Sequence, residues 1–515
     1  MEVALEIAAK PFSEQDATRK QVRGSSLFLF GRILSLGVNF FTQVLMVRYL
    51  STRDFGEFAY GLAVVSLFRL LASLGLQDAI PRFVPIYQEN REYGKMFGTI
   101  FLAVGAVLTV AIFIVAVVWQ APMVLMPFMN HESLPSLGIL SILIALVPVE
   151  TADAMLDGLF ASFAGTRDIF LRRYLLGPGL KFAVVVLLLW MKSTVIFLAY
   201  GYLVAGATGV LVYGSLFIRL LREQGLLQRF RLKDIDIPFR ETLAFVLPSL
   251  ISAIALCISP VNAFLLGRLR TMSEVAFYRA AVPVAELNGI VFASFTLLYT
   301  PLAARLFARA DYRGINGLYW QTAAWMSVLS FPIFAVTFSL AKPLTILLYG
   351  ARYAPSGPVL ALLSLASYFN VLLGFNLQTL KVIKRWRYVV LVSAVTALAN
   401  LVASTVLIKQ YGAVGAAAGS TVILIGYNLL LQAGLSPTAD FHVFDRRYLS
   451  IYLTIALGAC SLFLVGSLTS LSFYVLLPMA ACVSLCVLAV AKKKLNIAES
   501  FPELLRLPLM RVIFT

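Results

Sequence analysis

Long apolar stretches separated by short polar segments run along almost the whole chain. Each of fourteen stretches is long enough to cross the hydrocarbon core of a bilayer as a helix. The pattern predicts an all-α integral membrane protein with fourteen transmembrane spans, numbered here in chain order. They lie at 25–47, 56–77, 96–119, 137–164, 172–191, 195–218, 243–266, 275–301, 318–340, 358–380, 388–408, 413–433, 449–470 and 472–491.

Lysine and arginine are distributed unequally between the two sides of the predicted spans. With the N-terminus and every second loop counted as one side, 30 of the 42 basic residues lie on that side and only 8 on the other. The positive-inside rule makes the richer side cytoplasmic. We therefore expect a multi-pass protein of the cell membrane with both termini in the cytoplasm.

The longest polar connection between spans, 219–242, divides the first twelve spans into six and six. The segment 48–60 that leads into span 2 is similar to 268–278, which leads into span 8. This pattern predicts two six-helix lobes related by a pseudo-two-fold axis along the membrane normal, plus a C-terminal helix pair. The expected parts are an N-terminal cytoplasmic segment, N-lobe, linker, C-lobe, helix pair and cytoplasmic tail, at 1–24, 25–218, 219–242, 243–433, 434–491 and 492–515.

The amino-acid composition argues against several classes of function. Hydrophobic residues make up 60% of the chain, and the predicted spans account for nearly all of them, so no soluble domain of any size remains. The net charge of +17 is dispersed over short loops, and we expect no nucleic-acid partner. The 4 cysteines lie in spans, and the 2 histidines, His131 and His442, lie in loops. We therefore expect no enzyme, no metal site and no cofactor.

Three arginines within or near the ends of spans are the candidate substrate ligands. A charged side chain at mid-bilayer costs about 2.5–3.5 kcal/mol, so each one needs a partner or a water-filled cavity. The functional interpretation is a basic cavity for an anionic substrate, because a guanidinium group suits phosphate. The alternative is structural pairing with carboxylates. The three residues are Arg32, Arg69 and Arg279.

Four acidic residues within spans are candidates for ion coupling. Glu150, Asp153 and Asp157 of span 4 have the spacing i, i+3 and i+7, which places them on one helix face. Glu286 lies in span 8. These carboxylates could bind H⁺ or Na⁺, or Lys181 of span 5 could neutralise Asp153 or Asp157 as a purely structural partner. Both interpretations stay open at this point.

Several segments resemble the Wzx-type polysaccharide flippases of the multidrug/oligosaccharidyl-lipid/polysaccharide exporter superfamily. They are 47–56, 71–76 with 79–82, 347–353, and Asn400 with 412–417. The resemblance implies two lobes around a central cavity lined chiefly by spans 1, 2, 7 and 8, which moves a lipid-linked sugar by alternating access. By span and depth, it assigns substrate binding to Arg32, Arg69 and Arg279. Lys181 departs from this set, because span 5 is not expected to face the main cavity.

The expected function is therefore that of a flippase. It would translocate a polyprenyl-(di)phosphate-linked oligosaccharide from the cytoplasmic to the outer leaflet for cell-surface polysaccharide or glycan biosynthesis. Expected partners are this substrate, membrane lipids, and a glycan polymerase or glycosyltransferases, with the flippase itself a monomer. The alternatives are a multidrug/cation antiporter of the same superfamily and a non-transporting membrane scaffold for glycan synthesis.

Overall fold

A computed structural model describes most of the chain. The described residues are 14–73, 75–128, 137–163, 170–229, 234–436, 444–468, 473–492 and 494–495. Their regular secondary structure is entirely helical. Most of the expected tail at 492–515, the first thirteen residues and both histidines lie outside the described residues.

The described residues of the first half, up to the linker, form eight helices. A π-helical turn, Leu171–Leu176, precedes α7. The helices are α1 Glu14–Tyr49, α2 Thr52–Ser73, α3 Ile80–Glu89, α4 Tyr93–Gln120, α5 Leu137–Leu143, α6 Leu146–Phe163, α7 Gly177–Trp190 and α8 Val195–Glu223.

The described residues of the second half form eleven helices. Its helices are α9 Phe239–Leu256, α10 Ile258–Leu269, α11 Met272–Glu286, α12 Ile290–Ala308, α13 Tyr312–Phe334, α14 Ala341–Tyr349, α15 Ser356–Leu372, α16 Asn376–Val382, α17 Trp386–Ala433, α18 Leu449–Leu468 and α19 Phe473–Ala491. The pairs α9–α10 and α11–α12 each form a broken run, interrupted at Cys257 and at 287–289.

Eleven helices or helix runs in the described part of the chain are long and apolar enough to cross a membrane. One of them, α17, has 48 residues and doubles back at Gly412, where φ is 57°. Its two arms then pack on each other, since Gly415 lies against the backbone carbonyl of Leu407. Neither α1 nor the α9–α10 run is among the eleven. The count of fourteen spans therefore stays a prediction.

The sequence pattern misses three features of the helices. Helix α1 begins at Glu14, so it extends into the segment that we expected to precede span 1. Helices α3 and α14 have 10 and 9 residues and occupy stretches expected to be loops. Both are too short and too mixed in polarity to produce the long apolar window by which a span is recognised.

The two halves contact each other most closely where α2 packs on α10 and α11. A Cβ atom added to Gly56 would lie 1.9 Å from the carbonyl oxygen of Met272, and one added to Gly267 would lie 2.3 Å from the ring of Tyr60. Small residues allow helix backbones to approach this closely in lipid, where dispersion replaces the hydrophobic effect. These glycines therefore close the predicted outer end of the interface.

Two arginines exchange hydrogen bonds across the same outer end. Arg48 donates from Nε to the carbonyl oxygen of Leu348 at 2.7 Å and from Nη2 to that of Leu347 at 2.5 Å. Arg352 donates from Nη2 to the carbonyl oxygens of Val47 and Arg48 at 2.8 and 2.6 Å. The acceptors are at the C-terminal ends of α14 and α1, where helix carbonyls lack partners and carry partial negative charge. Each half thus supplies a cation to a helix end of the other.

A different set of contacts joins the halves at the predicted cytoplasmic end. The Tyr87 hydroxyl donates to Glu241 Oε2 at 2.8 Å, and the guanidinium carbon of Arg82 lies 4.2 Å from the centre of the Phe245 ring. The backbone N–H of Asp236, in the linker, donates to the carbonyl oxygen of Gly94 at 3.3 Å. Burial, followed by the hydrogen bond to Glu241, raises the pKa of Tyr87 to about 12. The start of α9 is therefore attached to the first half.

The hairpin in α17 generates a test with an internal control. Gly412 has a positive φ, and its added Cβ would lie 1.7 Å from Glu274 Oε2, whereas nothing lies within 4 Å of the corresponding position at Gly426. We expect Gly412→Ala to lower stability by about 1–3 kcal/mol, the usual cost of such backbone strain. Gly426→Ala should leave it unchanged or slightly higher. Thermal unfolding of the two purified variants measures the difference, and equal midpoints would contradict the structure of this turn.

Candidate functional site

A cavity of about 300 Å³, which we call the central cavity, lies between the halves. Helices α1, α2, α7 and α8 of the first half line it, together with α11 of the second. Its wall combines apolar side chains with six polar ones: Asn39, Thr42, Gln43, Lys181, Tyr202 and Arg279. It is therefore a polar space, and four of the five helices around it belong to helices or helix runs that are long and apolar enough to cross a membrane.

Arg279 is held in this cavity from both sides. Helix α11 begins after Thr271, whose side chain accepts from the N–H of Glu274, so the register of the helix is fixed two turns before Arg279. The guanidinium group donates from Nη1 to Ser259 Oγ at 3.1 Å. Gln43 of α1 donates from Nε2 to the backbone carbonyl oxygen of Arg279 at 3.1 Å. The predicted ligand from span 8 thus lies at the junction of the two halves.

Lys181 lines the central cavity as well. Its Nζ lies 5.7 Å from the centre of the Tyr202 ring. The expectation that span 5 does not face the main cavity is therefore wrong. Helix α7 packs against both α1 and α8, and Asn39 and Tyr202 on those helices line the same space. A long side chain from α7 reaches that space between them.

The three carboxylates predicted to share one helix face line a second cavity, of about 260 Å³, within the first half. We call it the first-half cavity. Glu150, Asp153 and Asp157 of α6 contribute to its wall, and so do Arg173 and Lys181. The arrangement brings the carboxylates and Lys181 together, as both interpretations of these residues require. The cavity differs from the central one in containing acidic groups.

Arg69 has a partner that the sequence did not predict. Its Nε lies 3.7 Å from Glu150 Oε2, and the two side chains are 43% and 29% exposed. The pair gives Arg69 an opposite charge within the predicted spans, as a cation in a membrane requires. Arg69 is not among the residues that line the central cavity. The expected gathering of Arg69 with Arg279 in one cavity is therefore not what the structure shows.

Arg32 also lies away from Arg279, and it is exposed, as are the neighbouring Ile33 and Leu34. It shares a helix face with Ser35 and Asn39, since these positions have the spacing i, i+3 and i+7. Ser35 lines the first-half cavity, and Asn39 lines both cavities. Arg32 therefore lies about 10 Å along α1 from Asn39, toward the predicted cytoplasmic end.

Glu286 lies in a third cavity, of about 300 Å³, in the second half. Its polar neighbours on that wall are uncharged amides and hydroxyls, including Ser367, Asn370, Asn376 and Tyr427, and the remaining lining residues are apolar or glycine. The four predicted ion-coupling residues are thus divided between two separate cavities. Among the described residues, no group of three His, Cys, Asp or Glu side chains could hold a metal ion.

Sequence reasoning missed the roles of Gln43 and Tyr202 and excluded Lys181 from the central cavity. Gln43 and Tyr202 gave no signal, because a single polar or aromatic residue in a span is common. Lys181 did give a signal, since an ammonium group near the middle of a span needs polar surroundings. The sequence could not show which cavity provides those surroundings.

Comparisons with known proteins agree with this fold. The family model described as polysaccharide biosynthesis protein matches residues 22–307. An uncharacterized membrane protein of Methanocaldococcus jannaschii is 21% identical over 417 residues, which cover 77% of this chain and 80% of the relative. These matches and the apolar helices identify a membrane protein.

Solved structures show the same architecture. The lipid II flippase MurJ in an inward closed conformation superposes with a TM-score of 0.70 at 15% identity, covering 92% of this chain and 100% of that one. An inward-facing multidrug resistance MATE family transporter of the MOP superfamily gives 0.61 at 13% identity, covering 85% and 96%. The chain thus has the fold of these transporters. Since the family match spans more than half of its 515 residues, the chain belongs to the polysaccharide biosynthesis protein family.

Proposed function

We propose that this protein is a flippase that moves a polyprenyl-(di)phosphate-linked oligosaccharide from the cytoplasmic to the outer leaflet. The observation that supports this function best is the central cavity, in which Lys181 and Arg279 from different halves line one polar space. The family match to polysaccharide biosynthesis proteins points to the same class of substrate. The protein would thus act as a transporter and not as an enzyme.

The substrate explains why such a cavity is needed. A polyprenyl tail can stay in lipid during translocation, but phosphate and sugar hydroxyls lose their water if they enter hydrocarbon, at a cost of several kcal/mol per unpaired group. Cationic and amide side chains in the central cavity replace that water. The cations bind the phosphate, while Asn39, Thr42 and Gln43 offer hydrogen bonds to hydroxyl groups.

The contacts at the two ends of the interface support alternating access. Opening the cytoplasmic end requires loss of the Tyr87–Glu241 hydrogen bond, and opening the outer end requires loss of the Arg48 and Arg352 exchange. In our proposal, exposed Arg32 attracts the head group and Arg69 receives it from Arg32 before it reaches Arg279. Outward movement of two negative charges across a membrane that is negative inside is favourable by about 4–5 kcal/mol per 100 mV.

The finer topology is part of the proposal. The two arms of α17 would each cross the membrane, and α1 and the broken α9–α10 run would add two further spans, giving fourteen with both termini in the cytoplasm. The two six-helix lobes would then be related by a pseudo-two-fold axis. The flippase would work as a monomer in the cell membrane, supplied by glycosyltransferases and followed by a glycan polymerase.

Ion coupling is a second element of the proposal. Protons or Na⁺ would bind the α6 carboxylates in the first-half cavity, with Glu286 offering a further acidic group in the second half. The membrane potential alone favours outward movement of the anionic substrate, so coupling would add to a process that is already downhill. The carboxylates would act through the conformation of the first half.

A multidrug or cation antiporter is the competing function, and one observation favours it. Glu150, Asp153 and Asp157 line a cavity that could attract a cationic drug. Lys181 and Arg173 line the same cavity, however, and would repel that cation. A non-transporting scaffold for glycan synthesis would need neither cavity. Transport by the purified protein separates a scaffold from both transporters.

The first test of the proposed function is transport by the purified protein in vesicles. Loss of the guanidinium group in Arg279→Gln should slow flipping of a fluorescent polyprenyl-diphosphate oligosaccharide by about tenfold or more, because a charge-assisted bond to phosphate is lost. Arg309→Gln, at an exposed position directly after α12, should flip at the wild-type rate. Chemical quenching of the label in the outer leaflet measures both rates. Equal rates for the two variants would reject the assignment of Arg279.

A second test addresses ion coupling. In the same vesicles, imposed H⁺ and Na⁺ gradients are compared for the wild type, Asp153→Asn and Asp157→Asn. One gradient should accelerate wild-type flipping, and loss of the carboxylate should remove that acceleration while flipping without a gradient continues. Glu89→Gln, at an exposed position, should respond like the wild type. A wild type that ignores both gradients would overturn the coupling and leave the flippase unaffected.

A further inference from the structure

We propose that Lys181 is shared between the central and first-half cavities and thereby couples them. In one position its ammonium group binds the substrate phosphate together with Arg279, and in the other it is held by the α6 carboxylates. This inference rests on the proposed function and deepens it. It assigns a phosphate ligand to α7 and gives the acidic cavity a defined effect on substrate affinity.

The first observation is that Lys181 belongs to both cavities. Only two other side chains do so among the described residues that line them, namely Asn39 and Tyr202. These three side chains, from α7, α1 and α8, therefore form the wall between the two spaces. Lys181 is the one charged member of that wall, and a small movement of its ammonium group transfers a full positive charge from one space to the other.

The second observation is the charge balance of the central cavity. Lys181 and Arg279 supply two positive charges, and no carboxylate is among the described residues that line it. Like charges in a space of low polarity repel each other, and an anion between them would reduce that repulsion. Glu286, which does not line this cavity, interacts electrostatically with Arg279 from outside it. A phosphate or diphosphate group between them would bind both cations. The structure thus points to a phosphate-bearing ligand and not to a neutral sugar.

The third observation distinguishes the two cations. Arg279 is fixed by the hydrogen bond to Ser259, while Gln43 holds its backbone. The Lys181 ammonium group lies beside the Tyr202 ring, 5.7 Å from its centre. A lysine is a compact charge on a flexible four-carbon chain, whereas a guanidinium fork is rigid. Lys181 is therefore the cation suited to move, and Arg279 is the fixed one.

The groups that face Lys181 determine when it moves. Helix α6 contributes three carboxylates, the turn before α7 contributes Arg173, and α8 contributes Tyr202 and Tyr213. Helix α1 contributes only uncharged polar groups to this cavity, and Arg69 of α2 pairs with Glu150. The carboxylates attract the ammonium group away from the central cavity. Neutralising them with a proton, a bound cation or an amide substitution weakens that attraction.

The consequence is a reciprocal coupling between two sites. A cation in the first-half cavity releases Lys181 and raises the affinity of the central cavity for phosphate, and bound phosphate raises the affinity for that cation by the same factor. Lys181 thus acts as a common ligand, whose loss should abolish the coupling and not only weaken binding.

The binding experiment uses the full-length protein in detergent and geranylgeranyl diphosphate as the probe. Calorimetry measures its dissociation constant for the wild type, Lys181→Met, Lys181→Arg and Arg279→Gln. We expect Lys181→Met and Arg279→Gln each to weaken binding about tenfold or more, and Lys181→Arg to retain most of the affinity because it keeps the charge. Thermal unfolding midpoints show that each variant is folded. Wild-type affinity in a folded Lys181→Met would overturn the proposal.

The coupling is tested by Asp153→Asn in three backgrounds. In the wild type, this substitution should tighten probe binding about threefold to tenfold, because Lys181 is released. In Lys181→Met the tightening should disappear, and in Arg279→Gln it should persist. Glu89→Gln, exposed on α3, should change nothing. The same tightening with and without Lys181 would show a simple effect of charge through space and would reject the shared ligand.

The outcomes separate this inference from the proposed function. Binding of the probe and active flipping, with no dependence of either on Lys181, would reject the shared ligand and leave the flippase intact. Failure of the wild type both to bind the probe and to flip the labelled oligosaccharide would reject the proposed function, and the inference with it.

Discussion

The structure depends on one constraint, that a charge inside a bilayer must contact water, a polar wall or an opposite charge. The long helices satisfy their own backbone hydrogen bonds, so the ionisable side chains decide where space has to remain between them. Lys181, Arg279 and the α6 carboxylates all lie on cavity walls. Arg69 meets the same requirement differently, by pairing with Glu150. The cavities are thus the places where charged side chains interrupt the apolar packing of the helices.

Hydropathy and charge patterning predicted the helical membrane class, most of the helices and the shared face of Glu150, Asp153 and Asp157, because these depend on spacing along one helix. They could not predict the Arg69–Glu150 pair or the position of Lys181. Those features depend on which helices are neighbours, and apolar spans of similar composition can be arranged in many ways. The resemblance to polysaccharide flippases indicated a role in polysaccharide synthesis, and the match at 22–307 confirms that the chain belongs to the polysaccharide biosynthesis proteins.

The two halves, predicted from the sequence to be related, differ in the side chains that line their cavities. The first-half cavity contains three carboxylates with two basic residues, whereas the third cavity, in the second half, contains Glu286 beside amides and hydroxyls. A sequence repeat indicates only that two units have comparable helices, since substitutions at polar positions leave the apolar pattern unchanged. The halves therefore differ in electrostatics, with five charged side chains on the wall of the first-half cavity and one on the wall of the third.

The exchange of Arg48 and Arg352 at the predicted outer end involves only guanidinium donors and backbone carbonyl acceptors. Every type of residue has the same backbone carbonyl. Replacing Val47, Leu347 or Leu348 with another residue would therefore leave the acceptor in place. At this contact, the two arginine side chains are the part that the amino-acid sequence has to specify.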